Sequence, residues 1–119
     1  MTVCITAAGP TLDAALDPAF GRARYFLFVD SDTGAVEAHE NRPGAHGAGV
    51  QAAQLLADRG VEALITGNVG PNALSGLQAA GIPAFPCPAG SADEALARYR
   101  RGELTATAAP TQAKHGGGQ

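Results

Sequence analysis

Cysteine is nearly absent from this 119-residue sequence: only Cys4 and Cys87 occur, far apart and outside any CxxC pair. That scarcity excludes a disulfide-framework fold and argues against a zinc or iron-sulfur centre ligated by cysteines of a single chain. A metal held here has sparse protein ligands or brings its own. Charge is sparse as well, at 16% of residues with a net of −3, so nothing general draws the chain to nucleic acid or to an anionic membrane surface. No apolar run approaches bilayer length, and Met1 is followed by Thr-Val-Cys-Ile-Thr with no basic leader. These absences predict a cytoplasmic chain with no membrane segment and no nucleic-acid partner.

Several motifs of known chemistry are also missing. Neither GxxxxGK[ST] nor a GxGxxG after the first apolar run is present, which ranks nucleotide binding low. There is no nucleophile elbow, and Ser31, Ser75 and Ser91 have no catalytic motif around them. Phosphoryl chemistry with divalent metals needs clustered carboxylates, yet the first run, TVCITAA, contains no acid. Asp13, Asp17, Asp30, Asp32 and Glu40 fall mainly in turns, with Asp30 and Asp32 expected at the edge away from the glycine-rich loops. The expectation is a protein that is not an enzyme. A small phosphate-ester hydrolase or transferase, and a partner-binding regulatory module, stand as alternatives.

What the chain does contain is 45% hydrophobic residues, 16 glycines and 8 prolines, the composition of one compact domain with many turns. Apolar runs at 2–8 and 25–30 read as strands, and Asp32-Thr33-Gly34 supplies a hairpin turn to a weaker strand at 35–40. A helix is predicted at 47–59 with Gly60 as its stop, then a strand at 61–66. Pro71 suits the first turn of a second helix ending at Gly81. The strand at 82–86 carries two prolines and reads as an edge or a shortened ladder. Ser91 and Glu94 form a capping-box pattern for a third helix closed by Gly102. Beyond Leu104 little remains to bury, so the expected organisation is a domain at 1–104 and a flexible tail at 105–119.

The order β-β-β-α-β-α-β-α predicts an α/β fold with a five-stranded mixed sheet flanked by helices, the second strand alone antiparallel. Loops at the carboxyl ends of the four parallel strands then share one edge with the turn Phe20-Gly21-Arg22 that leads into the second strand. Such edges, with their helix N-termini, favour anions. Arg22 and Arg24 supply fixed positive charge, and His46 a ligand or pH-sensitive donor. Gly21, Gly47, Gly49, Gly67, Asn68 and Gly70 leave backbone room for a bulky ligand, although turn geometry alone accounts for each glycine singly. Arg22 has a plainer alternative, pairing with Asp17 or Asp13. Cys4 reads as a small buried hydrophobe; Cys87 lies at the crevice end of its strand, with a structural role favoured over thiolate contact. His39 and His115 are expected in solvent.

The stretches LDPAFGRARYFLFVD (16–30), NRPGAHGAGVQAAQLLADRGVEALITGNVGPNAL (41–74) and LQAAGIPAFPCPAGSADEALARYRRGEL (77–104) resemble the dinitrogenase iron-molybdenum cofactor biosynthesis family. The resemblance spans nearly all of 1–104. Within that family the chain is most similar to members that carry a molybdenum-copper sulfide cluster. The resemblance implies a ribonuclease-H-like three-layer fold and a role in binding, carrying or helping to assemble a metal-sulfur cluster. The implied cofactor is a molybdenum-copper sulfide cluster, with an iron-molybdenum-type cluster as alternative, and the implied partners are cluster-donor or acceptor proteins around a monomeric carrier. Arg22 and His46 occupy matching family positions; His46 becomes a candidate direct metal ligand and Cys87 a weaker one. Where some members have a histidine-rich tail, this chain has only His115.

Overall fold

The structure, a computed structural model, describes residues 1–41, 48–87 and 90–107, with the side chains of residues 48 and 49 outside the description. Its elements follow the predicted order: β1 (Thr2–Ala7), β2 (Tyr25–Asp30), β3 (Val36–Glu40), α1 (Ala48–Asp58), β4 (Val61–Thr66), α2 (Pro71–Ala79), β5 (Ala84–Pro86) and α3 (Ala92–Arg100). They form one five-stranded sheet in the order β3-β2-β1-β4-β5. β2 is antiparallel to both β1 and β3, while β1, β4 and β5 run parallel.

The apolar runs of β1 and β2 are continuous because both faces of these strands are covered. Cys4, Phe26, Phe28 and Leu64 pack on one face with Leu56 of α1 and Leu74 and Leu77 of α2. Val3, Ile5, Leu27, Val29 and Ile65 pack on the other with Ala92, Ala95 and Leu96 of α3. Three layers result, two helices on one side and one on the other.

Helix ends obey the local signals. Gly60, Gly81 and Gly102 adopt φ of 68°, 75° and 73°, the left-handed conformation that stops a helix at little steric cost. Pro71 occupies the first turn of α2, and Ser91 and Glu94 form a reciprocal capping box on α3. β5 is shorter than predicted: Ile82 packs with the α1/α2 core, and Pro83, which has no N–H, offers only its carbonyl, to the Leu64 N–H at 3.0 Å. After α3 the chain returns along β5, where the Thr107 N–H donates to the Ala84 carbonyl at 2.9 Å, three residues past Leu104. Residues 108–119, His115 among them, lie outside the described residues.

His39 departs from expectation. It is half-buried, its ring nearly parallel to that of Phe26 (centroids 6.4 Å apart, 7° between planes) and edge-on to Phe28 at 6.3 Å. The register Phe26↔His39 and Phe28↔Glu37 puts these side chains on one face, where Arg59 lies 4.3 Å over the Phe28 ring and pairs with Glu37 at 2.8 Å. The β3 sequence is weaker and more polar than that of β2, but cross-strand aromatic neighbours draw its one imidazole onto the sheet.

Cys4 is fully buried, and burial pushes its thiol well above the ordinary range. Cys87 is equally buried. Since the thiolate is the reactive form and neither sulfur reaches solvent, the native protein at neutral pH should show no rapidly alkylated thiol, whereas denaturant should release two. Intact-mass measurement after a short iodoacetamide pulse checks this; a fast-reacting native cysteine would contradict the packing.

Candidate functional site

The site is built at the sheet edge where β1, β4 and β5 end and β2 begins. The hairpin turn lies at the other edge: Asp30 accepts from the N–H groups of Asp32 (2.8 Å) and Thr33 (3.1 Å), and Asp32 pairs with the Met1 amine at 3.2 Å. Those backbone donors hold the Asp30 carboxyl below its usual range.

Leaving β1, the chain doubles back over the strand ends. The Ala8 N–H donates to the Ala15 carbonyl (2.9 Å), and Leu16 bridges Ala7. The same segment meets α3, where Leu16 donates to the Gly90 carbonyl and Ala92 and Asp93 donate to the carbonyls of Ala14 (2.9 Å) and Leu12 (2.8 Å). Ser91 N–H goes to Glu94 Oε1 and Glu94 N–H to Ser91 Oγ. All four donors at the start of α3 are therefore occupied from within the protein, and this helix offers nothing to an anion.

Asp17 to Phe20 then cross β1 and β4. Thr6 Oγ1 donates to the Asp17 carbonyl at 2.9 Å and lies 2.8 Å from Thr66 Oγ1, while the Asp17 N–H donates to the Thr6 carbonyl. Thr6 and Thr66 are both fully buried polar side chains, and their hydroxyls satisfy one another and the crossing strand. Next, the Asn68 N–H donates to the Pro18 carbonyl at 2.6 Å and the Phe20 N–H to the Asn68 carbonyl at 3.3 Å. A Cβ at Gly67 would stand 2.6 Å from Pro18 Cα. Glycine is required there by the protein's own crossing chain, which already fills the room expected for a ligand.

The turn that carries the arginines is held from two sides. Asp17 accepts from the Ala19 N–H (3.1 Å) and the Arg24 N–H (3.2 Å), so both its oxygens face backbone. Asn41, the residue after β3, donates from Nδ2 to the carbonyls of Gly21 (3.2 Å) and Ala23 (2.8 Å), and its N–H donates to the Arg24 carbonyl (2.9 Å). Arg22 and Arg24 are exposed, and no ion pair joins either to Asp13 or Asp17 among the described residues. Asp13 accepts from the Thr11 hydroxyl instead.

Of the other expected residues, Asn68 is exposed with its backbone engaged as above, and Gly70 is the N-cap of α2 with an ordinary extended backbone. No side chain caps α2, Pro71 brings no N–H, and no acid lies in its first turn. Gly49 lies in the first turn of α1; His46 and Gly47 lie outside the described residues. Cys87 does not open to the edge. Its N–H donates to the Thr66 carbonyl (2.8 Å), and its side chain lies in the α3-face core with an Arg98 Nη1 4.0 Å from the sulfur. Among the described residues no three His, Cys, Asp or Glu side chains gather to hold a metal ion. The sequence points to Asp17 only as a partner for the Arg22 side chain, whereas it holds backbone N–H groups; the roles of Asn41 and of the Thr6–Thr66 pair carry no signal beyond Asn41 being a polar residue directly after a strand.

Comparison with known proteins places this geometry in company. A family model described as dinitrogenase iron-molybdenum cofactor matches residues 1–102. The apo form of the orange protein from Desulfovibrio gigas is 41% identical, with a TM-score of 0.89 over 93% of this chain and 96% of that one. The Thermotoga protein TM1290 is 36% identical with a TM-score of 0.84, over 95% and 98% of the two chains. An uncharacterized protein of Methanocaldococcus jannaschii is 37% identical over 94 residues, covering 75% of this chain and 80% of its own length.

Proposed function

Because the chain belongs to the dinitrogenase iron-molybdenum cofactor family, we propose that it binds and carries, or helps to assemble, an anionic metal-sulfur cluster at the edge where β2 begins. The observation that carries this reading is the pinned turn Phe20–Arg24, whose two exposed guanidinium groups pair with no acid among the described residues. A cluster that arrives with its own sulfides suits an edge with positive charge and no accessible thiolate. The composition proposed is the molybdenum-copper sulfide cluster that the family resemblance implies, with an iron-molybdenum-type cluster as alternative. The sheet order supports assigning the fold to the ribonuclease-H-like class; the proposed cluster-binding domain is 1–104 and the tail 105–119, whose Thr107 N–H still bonds to β5.

The reading assigns anion contact to Arg22, with Arg24 beside it, and metal contact to His46; Gly21, Gly47, Gly49, Gly67, Asn68 and Gly70 shape the surrounding edge. The chain acts as a monomeric cytoplasmic carrier between donor and acceptor proteins, without turnover. Among the described residues no helix is long and apolar enough to cross a membrane.

The test is anaerobic reconstitution with tetrathiomolybdate and copper, followed by an optical spectrum and elemental analysis. Charge-transfer bands with stoichiometric metal are expected; colourless, metal-free protein would sink the reading and turn attention to turnover of phosphate esters or capture of a protein partner. Arg22→Ala should weaken retention roughly tenfold, the size of one hydrogen bond to a charged group. That deficit should shrink as salt is raised, because an exposed charge is screened. A deficit from His46→Ala should persist in salt, since a ligand bond is not screened. Retention equal to wild type in both variants would refute the assignment.

A further inference from the structure

We propose that Asn41 is a positioning residue that holds the Arg22 turn in its anion-receiving form, an inference that rests on the cluster-binding reading above. Asn41 Nδ2 donates to the carbonyls of Gly21 and Ala23, the residues on either side of Arg22. Both partners are acceptors, so only the amide nitrogen fits there, and an Asp of the same shape would set a carboxylate against two carbonyl oxygens. The Asn41 N–H also ties down the Arg24 carbonyl, while Asp17 Oδ2 takes the Arg24 N–H.

This arrangement does two things for the arginine. It fixes the backbone on both sides of Arg22, so the guanidinium approaches an anion from a pre-set base and less freedom is lost on binding. It also commits Asp17 to the backbone: both carboxylate oxygens accept N–H groups, and among the described residues no ion pair joins that acid to Arg22. Loss of the Asn41 side-chain amide releases the Gly21 and Ala23 carbonyls on either side of Arg22, while the Asn41 N–H and Asp17 still hold Arg24. The Asn41 side chain itself need not touch the cluster.

Two readouts test this on the full chain, with Asn41→Ala and the isosteric Asn41→Asp each compared with wild type. The first needs no ligand: order parameters from 15N relaxation of the Gly21–Ala23 amides should fall from about 0.85 to below about 0.6 in the variants, while Leu64 in β4 stays rigid. A turn as rigid in the variants as in wild type overturns the proposal. The second is a tetrathiomolybdate titration of wild type, Arg22→Ala, Asn41→Ala and the double variant. Asn41→Ala should bind roughly tenfold more weakly than wild type, and the double variant no more weakly than Arg22→Ala alone, because both act through one contact. Losses that add in full overturn the proposal, since a residue with a merely structural role acts independently of Arg22. Wild-type protein that takes up no tetrathiomolybdate fails the cluster reading, while the relaxation data still decide whether Asn41 fixes the turn.

Discussion

Gly67→Ala should destabilise the protein by about 1–3 kcal/mol, the range for forcing an extra methyl into a packed site. The added Cβ would meet Pro18 at 2.6 Å from Cα, 3.0 Å from the carbonyl oxygen and 3.1 Å from the carbonyl carbon. All three are main-chain atoms, so no side-chain rotation relieves the contact. The crossing segment Asp17–Phe20 has to lift from β4, and the hydrogen bond between the Asn68 N–H and the Pro18 carbonyl stretches with it. For a domain near this size each kcal/mol lowers the melting temperature by about 4–8 °C. The displacement should also spread to the Arg22 turn, since Phe20 bonds Asn68 directly ahead of Gly21. Calorimetry with amide chemical shifts of residues 17–24 checks both parts. An unchanged melting temperature with unmoved shifts would show that the glycine serves something other than the crossing chain.

Thr6→Val should destabilise by a similar amount, about 1–3 kcal/mol, and by more than Thr66→Val. The two residues are both fully buried, but their hydroxyls have different partners. Thr6 Oγ1 engages the Asp17 carbonyl and Thr66 Oγ1 together, so valine there strands the buried Thr66 hydroxyl and the part-buried Asp17 carbonyl. Valine at 66 leaves the Thr6 bond to Asp17 intact. The double variant should then be little worse than Thr6→Val, because the Thr66 hydroxyl orphaned by the first change is removed by the second. Urea denaturation of the four proteins reads the cycle; equal losses at the two positions would mean the hydroxyl pair has another route to satisfaction.

Both predictions bear on function as well as stability. Gly67, Thr6 and Asp17 fasten the segment that ends in the Arg22 turn, so damage at any of them should reach the guanidinium by way of the backbone. Arg22→Ala itself, by contrast, removes an exposed side chain and should leave stability within about 0.5 kcal/mol of wild type. That contrast separates variants that remove the contact from variants that mislay it.

The elements and their directions are legible in the sequence. The unbroken apolar runs of β1 and β2, Pro71 at the start of α2, the Ser91–Glu94 box and the stops at Gly60, Gly81 and Gly102 are local signals, written within a few residues of where they act. From strand directions and the handedness of the crossovers it also follows that the turn at Arg22 shares an edge with Asn68 and the start of α2. Matching over residues 1–102 adds the family.

How that edge is filled depends on the folded path of the chain. Asn41 reaches Gly21 and Ala23, 20 and 18 residues away, and Thr6 reaches Thr66, 60 residues away. No local pattern encodes such pairs. Polar side chains find long-range partners because burial leaves them no water to bond, and which partner is nearest depends on the folded path of the intervening chain. The same reason accounts for Gly67, whose neighbour is Pro18; for His39, drawn onto Phe26 by strand register; and for the start of α3, whose donors are taken by a loop far upstream in the sequence.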